Sequence, residues 1–272
     1  MSASSAAHFT AGADELVVRE PKLAMEFYDQ LANFYHLIYS NWDETIDRQG
    51  QELSDVIGSE WPRSHTVLDV SCGIGTQSIG LAKCGFEVTA SDISEGAIRR
   101  AETEASRLNV EVRFSVCDMR QAYSHHGSGF DVVISCDNSL PHLLTDEDLL
   151  TALENMLACL SPGGGCVISV RDYDSEERGR GIVKLHGVRR SNGFQYLLFQ
   201  VWDFDGEHYD LTFYIVEENR TTQETRTHVL RSRYYAISTD HLCDLMSTAG
   251  FRDVKRVDQA YFQSLLVGTR AV

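Results

Sequence analysis

Apolar residues in this chain recur in two spacings, and the switch between them marks its elements. A short apolar run, Val67 to Val70, enters a glycine-rich stretch, and helical spacing follows from Thr76 to about Lys83. Phe86 to Ser91 reads as a second strand ending at Asp92. Ser94 then predicts the N-cap of a helix to Leu108, with Ala97, Ile98, Ala101 and Ala105 inward. Val110 to Val116 alternates as a third strand, closed by Cys117-Asp118-Met119-Arg120. Phe130 to Cys136 is nearly continuous in apolar character, as a strand buried on both faces should be. A helix over Asp146 to Leu160, a turn at Ser161 to Gly165 and a strand from Cys166 to Arg171 complete a strictly alternating α/β series.

The period changes on either side of that series. Residues 182–236 read as a polar loop and three strand-like runs, Phe194 to Phe204, His208 to Glu217 and Thr222 to Tyr235, with Asp205-Gly206 as a hairpin signal. This predicts an antiparallel insert built into the domain. Helical spacing returns at Thr239 to Ala249 with Gly250 as C-cap, and two closing strands, Phe251 to Val257 and Ala260 to Thr269, can pair at the sheet edge. Residues 1–20 lack periodicity and are expected to form a mobile arm. From Pro21 the spacing of Met25, Tyr28, Leu31, Ala32 and Tyr35 is helical. A second helix is expected over Asp43 to Ile57, capped by Asp43 or Thr45. Residues 21–60 thus read as an N-terminal helical lid on a domain spanning 61–272. Its aromatics, Tyr28, Tyr35, His36, Tyr39 and Trp42, either wall a pocket or pack as a core stripe.

Charge and cysteine usage narrow the field. A net charge of −16 over 272 residues argues against nucleic acid or an anionic membrane as partner. Seven scattered cysteines without a C-x-x-C suit buried free thiols in a reducing cytoplasm, so neither a disulfide frame nor a metal site is expected. No apolar stretch resembles a signal peptide or a membrane span. His125-His126 sits in a Gly/Ser-containing turn and is expected to face solvent.

The candidate chemistry lies at the glycine turn, Asp69-x-Ser71-Cys72-Gly73-x-Gly75. Glycines let the backbone turn tightly and approach a ligand, and Asp92, ending the next strand, can accept hydrogen bonds from a ribose diol. Ser78 stands where a dinucleotide site usually has a third small residue. Asp69 would oppose a pyrophosphate but could hold an ammonium group directly or through water. Asp118, ending the third strand, either accepts from an adenine amino group while Met119 packs on the ring, or merely caps its loop. A NAD-type site is the competing reading.

The turn resembles motif I of the class I S-adenosylmethionine (SAM) methyltransferases, and the elements from about residue 50 onwards resemble that whole fold. The resemblance implies a Rossmann-like, seven-stranded, mostly parallel sheet carrying the antiparallel cap. Asn138-Ser139-x-x-His142, Arg171-Asp172-Tyr173-Asp174 and Asn41-Trp42-Asp43-x-x-Ile46-Asp47-Arg48 are similar to glycine N-methyltransferase and bacterial glycine/sarcosine methyltransferases. The implied cofactor contacts are Tyr39, Trp42, Arg48, Asp69, Ser71, Gly73, Gly75, Asp92, Ile93, Asp118, Met119 and Cys136, with Arg48 on the SAM carboxylate. Tyr28 would lie near the sulfonium, and His142 is the candidate base if the acceptor needs one. Tyr35, Asn138, His142, Arg171 and Tyr235 would face the acceptor, Arg171 pairing with its carboxylate; either Tyr234 or Tyr235 could be the cap tyrosine. The expected activity is methyl transfer from SAM to a nitrogen of a small molecule. An O- or C-methyltransferase and a SAM-binding regulator without turnover are the alternatives.

Overall fold

The computed structural model describes residues 20–272. In chain order the elements are α1 (Glu20–Leu31), α2 (Trp42–Glu60), β1 (Thr66–Asp69), α3 (Thr76–Lys83), β2 (Glu87–Asp92), α4 (Glu95–Leu108), β3 (Arg113–Val116), α5 (Ala122–His126) and β4 (Phe130–Ser135). They continue with α6 (Asp146–Cys159), β5 (Leu160–Val170), β6 (Ile182–Ser191), β7 (Phe194–Asp205), β8 (His208–Asn219), β9 (Thr225–Tyr235), α7 (Thr239–Ala249), β10 (Arg252–Val257) and β11 (Ser264–Thr269). Short 3-10 turns occupy Tyr35–Ile38, Met119–Gln121 and Leu140–His142. The expected arm at residues 1–20 falls, but for Glu20, outside the described residues.

Seven strands form one sheet in the order β10-β11-β5-β4-β1-β2-β3, parallel except where β11 runs against β5 and β10. Successive side chains on a strand face opposite sides, and the sheet's two cores follow from that. Leu68, Val133 and Ile168 point towards α6, α7 and the cap, whereas Val67, Val132 and Val167 point towards α2, α3 and α4. Chain order reverses between β1 and β4. The carboxyl ends of these strands open a crevice there, the usual ligand position in a sheet wound this way.

Helix α2 lies flush on α3 because two glycines meet: a Cβ on Gly80 would lie 2.5 Å from the Ile46 carbonyl, and one on Gly50 2.4 Å from the Gly80 backbone. The cap of α2 is Asn41, whose side chain accepts from Glu44 N–H, and not Asp43 or Thr45. Gly250 ends α7 in the left-handed conformation, as expected.

The antiparallel insert is a second, four-stranded sheet, β6-β7-β8-β9. The stretch read as a polar loop contains a full strand, β6. Its alternation is interrupted where pairing with β7 shifts between Leu185 and Gly187, a bulge that hides the period of two. Likewise Ser161 to Gly165, expected as a turn, is the irregular start of β5, where pairing with β4 shifts between Phe130 and Val132.

Candidate active site

A cavity of about 830 Å³, counting its open mouth, occupies the crevice. Its walls come from α1 (Ala24, Tyr28), Tyr35, the turn after β1, and the loops that follow β2, β3 and β4. The turn after β1 is shaped by Gly73 at φ 52° and Gly75 at φ 91°, left-handed values that L side chains resist. Asp92 clamps it. Its two carboxylate oxygens accept from the N–H groups of Gly73 (2.8 Å) and Ser94 (2.9 Å). Burial raises the Asp92 pKa, while these donors oppose the rise. Ser71, Gly73, Asp92, Ile93, Asp118 and Met119 all line the cavity, as the sequence predicts. Asp118 is also held by Arg120 at 2.6 Å, and Arg120 in turn bonds Asp148 at 2.7 Å.

Other predicted contacts stand behind the wall. Asp69 is 1% exposed: Ser71 N–H donates to one oxygen and the Ser78 hydroxyl to the other, at 3.1 and 2.6 Å. It orders the turn from behind the wall, which leaves contact through water as its route to an ammonium group. Gly75 begins α3, and Cys136 is buried without lining the cavity. The Trp42 indole N–H donates to the Thr76 hydroxyl (3.0 Å), and Tyr39 donates to Asp137 (2.8 Å). Both support residues that line the cavity themselves.

Three expectations are corrected, and a fourth residue, Arg171, stands back from the cavity. Arg48 points away from the cavity, with a side chain 55% exposed and an i,i+4 pair to Glu52 at 3.6 Å. Its place on α2 is opposite the face that Gly50 seats on α3. Asn138 is spent on structure: its amide donates to Tyr173 OH (2.7 Å) and its carbonyl accepts from Arg171 N–H (3.0 Å). Tyr235 is buried facing away from the cavity, stacked on His208, and donates to Asp146 at 3.1 Å. Its neighbour Tyr234 takes the inward position, because adjacent residues of a strand point to opposite faces. Arg171 is outside the cavity wall; it pairs with Glu176 (3.1 Å) and lies over the Trp202 ring, 4.8 Å from its centroid.

At the inner end of the cavity, under the cap, polar aromatics converge. His142 Nε2 lies 2.9 Å from Tyr28 OH and its Nδ1 3.3 Å from the Ser232 hydroxyl, with the Tyr234 ring 4.0 Å away. Burial pushes the His142 pKa down to about 3, so the imidazole is neutral. Tyr28 and Tyr35 are held protonated, chiefly by burial. Tyr35, like Tyr39, donates to Asp137 (2.9 Å). Asp137 and Asn138 both adopt left-handed backbone, φ 57° and 65°, a conformation that Asp and Asn tolerate better than most residues and that clusters at functional sites. Asp137, Ser232 and Tyr234 had sequence signals. The first ends a central strand; the alternation of Leu230, Ser232 and Tyr234 with Arg231, Arg233 and Tyr235 marks the inward face.

Comparison with known proteins bears on what this geometry serves. Residues 67–164 match the model of a methyltransferase domain. The fold around them is that of the class I SAM-dependent methyltransferases. The chain is 31% identical over 137 residues to the glycine/sarcosine N-methyltransferase of Aphanothece halophytica, covering 49% of this chain and 52% of the relative. It is 36% identical over 121 residues to the glycine N-methyltransferase of Rattus norvegicus, covering 40% and 41%. The chain thus spans about half or less of the curated relatives it matches. The methyltransferase fold is also that of the sugar N-methyltransferase KedS8 from Streptoalloteichus, with a TM-score of 0.75 at 16% identity over 100% of this chain and 99% of that one. The cofactor is SAM, and the cavity suits it. Its wall brings the glycine turn, Asp92 and Asp118 together, and Asp92 retains lone pairs for a ribose diol beyond the bonds it accepts from backbone.

Proposed function

We propose that this methyltransferase transfers its methyl group to a neutral nitrogen of a small molecule carrying a carboxylate. The carrying observation is the neutral His142 bonded to Tyr28 where cofactor cavity and cap meet. SAM, when bound, supplies a methyl activated on a sulfonium. The protein's task is then to orient the partners and exclude water. Either tautomer satisfies both contacts; the one with the imidazole N–H towards Ser232 lets Tyr28 donate to Nε2. This leaves the lone pairs of the Tyr28 oxygen for a polarised methyl. A phenol or carbon acceptor needs a base, and an imidazole with a pKa of about 3 is a poor one. An amine can shed its proton to water before it is enclosed. That contrast favours nitrogen.

The carboxylate is supported by two atoms under the cap. Arg171 Nε and His186 Nε2 are buried and have no hydrogen-bond partner among the described residues. His186 sits at the β6 bulge, and burial, then the Arg171 and Arg189 charges, hold its ring neutral. The unpaired, buried Arg171 Nε–H suits an anionic oxygen, and His186 Nε2 joins it in the tautomer that carries the proton there, since an unpaired buried polar group costs about 1–3 kcal/mol. A second reading, an amino-sugar nitrogen, is supported by the full-length likeness to KedS8.

The test is transfer of label from methyl-labelled SAM to a panel of amino acids, amines, amino sugars and phenols. Label on nitrogen is expected; label confined to oxygen or carbon, or none moved by SAM-loaded protein, overturns the proposal. His186→Phe should raise KM for a carboxylated acceptor about tenfold and leave that of an uncharged analogue in place. Equal effects on both would remove the anion contact.

A further inference from the structure

Away from the reacting end, the cavity wall shares one residue with a second cluster. Cys117, at the end of β3, lines the cavity next to Asp118. Helix α5 folds back so that one ligand atom each from Cys117, His125 and His126 lie within 4.8 Å of one another. The sequence hides this because the cysteine and the histidines are separated by the Met119–Gln121 turn and belong to no spaced metal motif.

We propose that Cys117, His125 and His126 form a site for a borderline divalent cation, zinc(II) or cobalt(II), with a fourth position open to water. One sulfur and two imidazole nitrogens are the donor set such ions prefer over magnesium or calcium. Ligands about 2.0–2.3 Å from a tetrahedral ion are roughly 3.3–3.8 Å apart. Of the two imidazoles one is exposed and one half-buried, and the three ligand atoms already lie within 4.8 Å of one another. Each ring is already steered by a hydroxyl: His125 Nε2 lies 3.1 Å from Ser115 and His126 Nε2 3.0 Å from Ser91. Such contacts orient ligating rings. The Cys117 thiol, now pointing at the Asp118 carbonyl (3.2 Å), gives up its proton to solvent as the metal–sulfur bond forms. Because Cys117 also lines the cavity, fixing its side chain on the cation alters that wall. The bound ion is therefore expected to weaken SAM binding, and SAM to weaken the ion's binding by the same factor.

Cobalt(II) titration of the full chain tests the site without recourse to activity. A thiolate-to-cobalt charge-transfer band should appear, vanish in Cys117→Ser, and weaken in His125→Ala and His126→Ala. It should persist in Cys84→Ser, which changes an exposed thiol elsewhere. Because the histidine variants alter residues outside the core, they keep the test valid if Cys117→Ser fails to fold. No band, or a band that survives both histidine substitutions, overturns the site. In calorimetry, SAM affinity should fall in saturating zinc; an unchanged affinity overturns the link to the cavity.

Discussion

Two buried carboxylates, Asp69 at the end of β1 and Asp92 at the end of β2, brace the same turn, and each accepts from protein donors before any ligand arrives. Burial lifts the Asp69 pKa to about 7, with the nearby Asp92 charge adding to the rise. An unfolded Asp titrates near pH ~3.9, so between these values the folded chain holds a proton that the unfolded chain has lost. Stability from this group is full at low pH and falls as pH rises through the window, by up to about 1.4 kcal/mol per pH unit. Asp69→Asn removes that slope and can keep both contacts, since the Ser78 hydroxyl can turn to accept from the new amide. Without cofactor, the variant should therefore gain stability over the parent chain between about pH 4 and pH 7 in denaturant unfolding. A constant difference across that range would show that Asp69 is not protonated in the folded protein.

At the scale of elements, the Gly50–Gly80 contact fixes where α2 meets α3, and hence where Trp42 reaches Thr76 at the cavity edge. Gly80→Ala forces a methyl against the Ile46 carbonyl. Overpacking of that kind costs about 1–3 kcal/mol, so the melting temperature should drop by several degrees and SAM affinity should fall with it. A variant with unchanged melting would mean that the helices separate at no cost. The α/β series was legible in the sequence because buried parallel strands and capped helices announce themselves: Thr76 to Lys83, Ser94 as a cap and Gly250 as a stop fall where expected. The cap was legible in only three of its four strands, since a bulge and several charges mask β6. Of the site, the positions fixed by strand ends (Gly73, Asp92, Asp118, Met119) were readable. Positions fixed by helix rotation or strand parity were not: Arg48 lands on the wrong side of α2, and Tyr234 faces in where Tyr235 was chosen. Asn138 could not be read because its partners, Tyr173 and the Arg171 backbone, come from another strand's loop.

At the scale of the whole molecule, the cap sheet and the N-terminal segment are tied together by one side chain. Arg189, just after the β6 bulge, donates to the carbonyls of Tyr39 (2.9 Å), Ile38 (3.2 Å) and His186 (3.0 Å). Hydrogen bonds from a charged donor are worth about 1.5–3 kcal/mol. Arg189→Ala should thus speed amide hydrogen exchange at residues 35–39 about tenfold or more, while exchange in β1 and β4 stays as it was. Unchanged protection would mean that the aromatic contacts alone hold the segment.

Helix α1 also rests against β9, and the Tyr28–His142 contact spans 114 residues of chain. In chain order, then, α1 is made long before β9, one of its permanent neighbours. Every loop that lines the cavity precedes the cap sheet, whereas Ser232 and Tyr234 beside His142 belong to its last strand. A chain whose cap is unmade thus lacks part of its reaction chamber even where the walls of the nucleoside pocket exist.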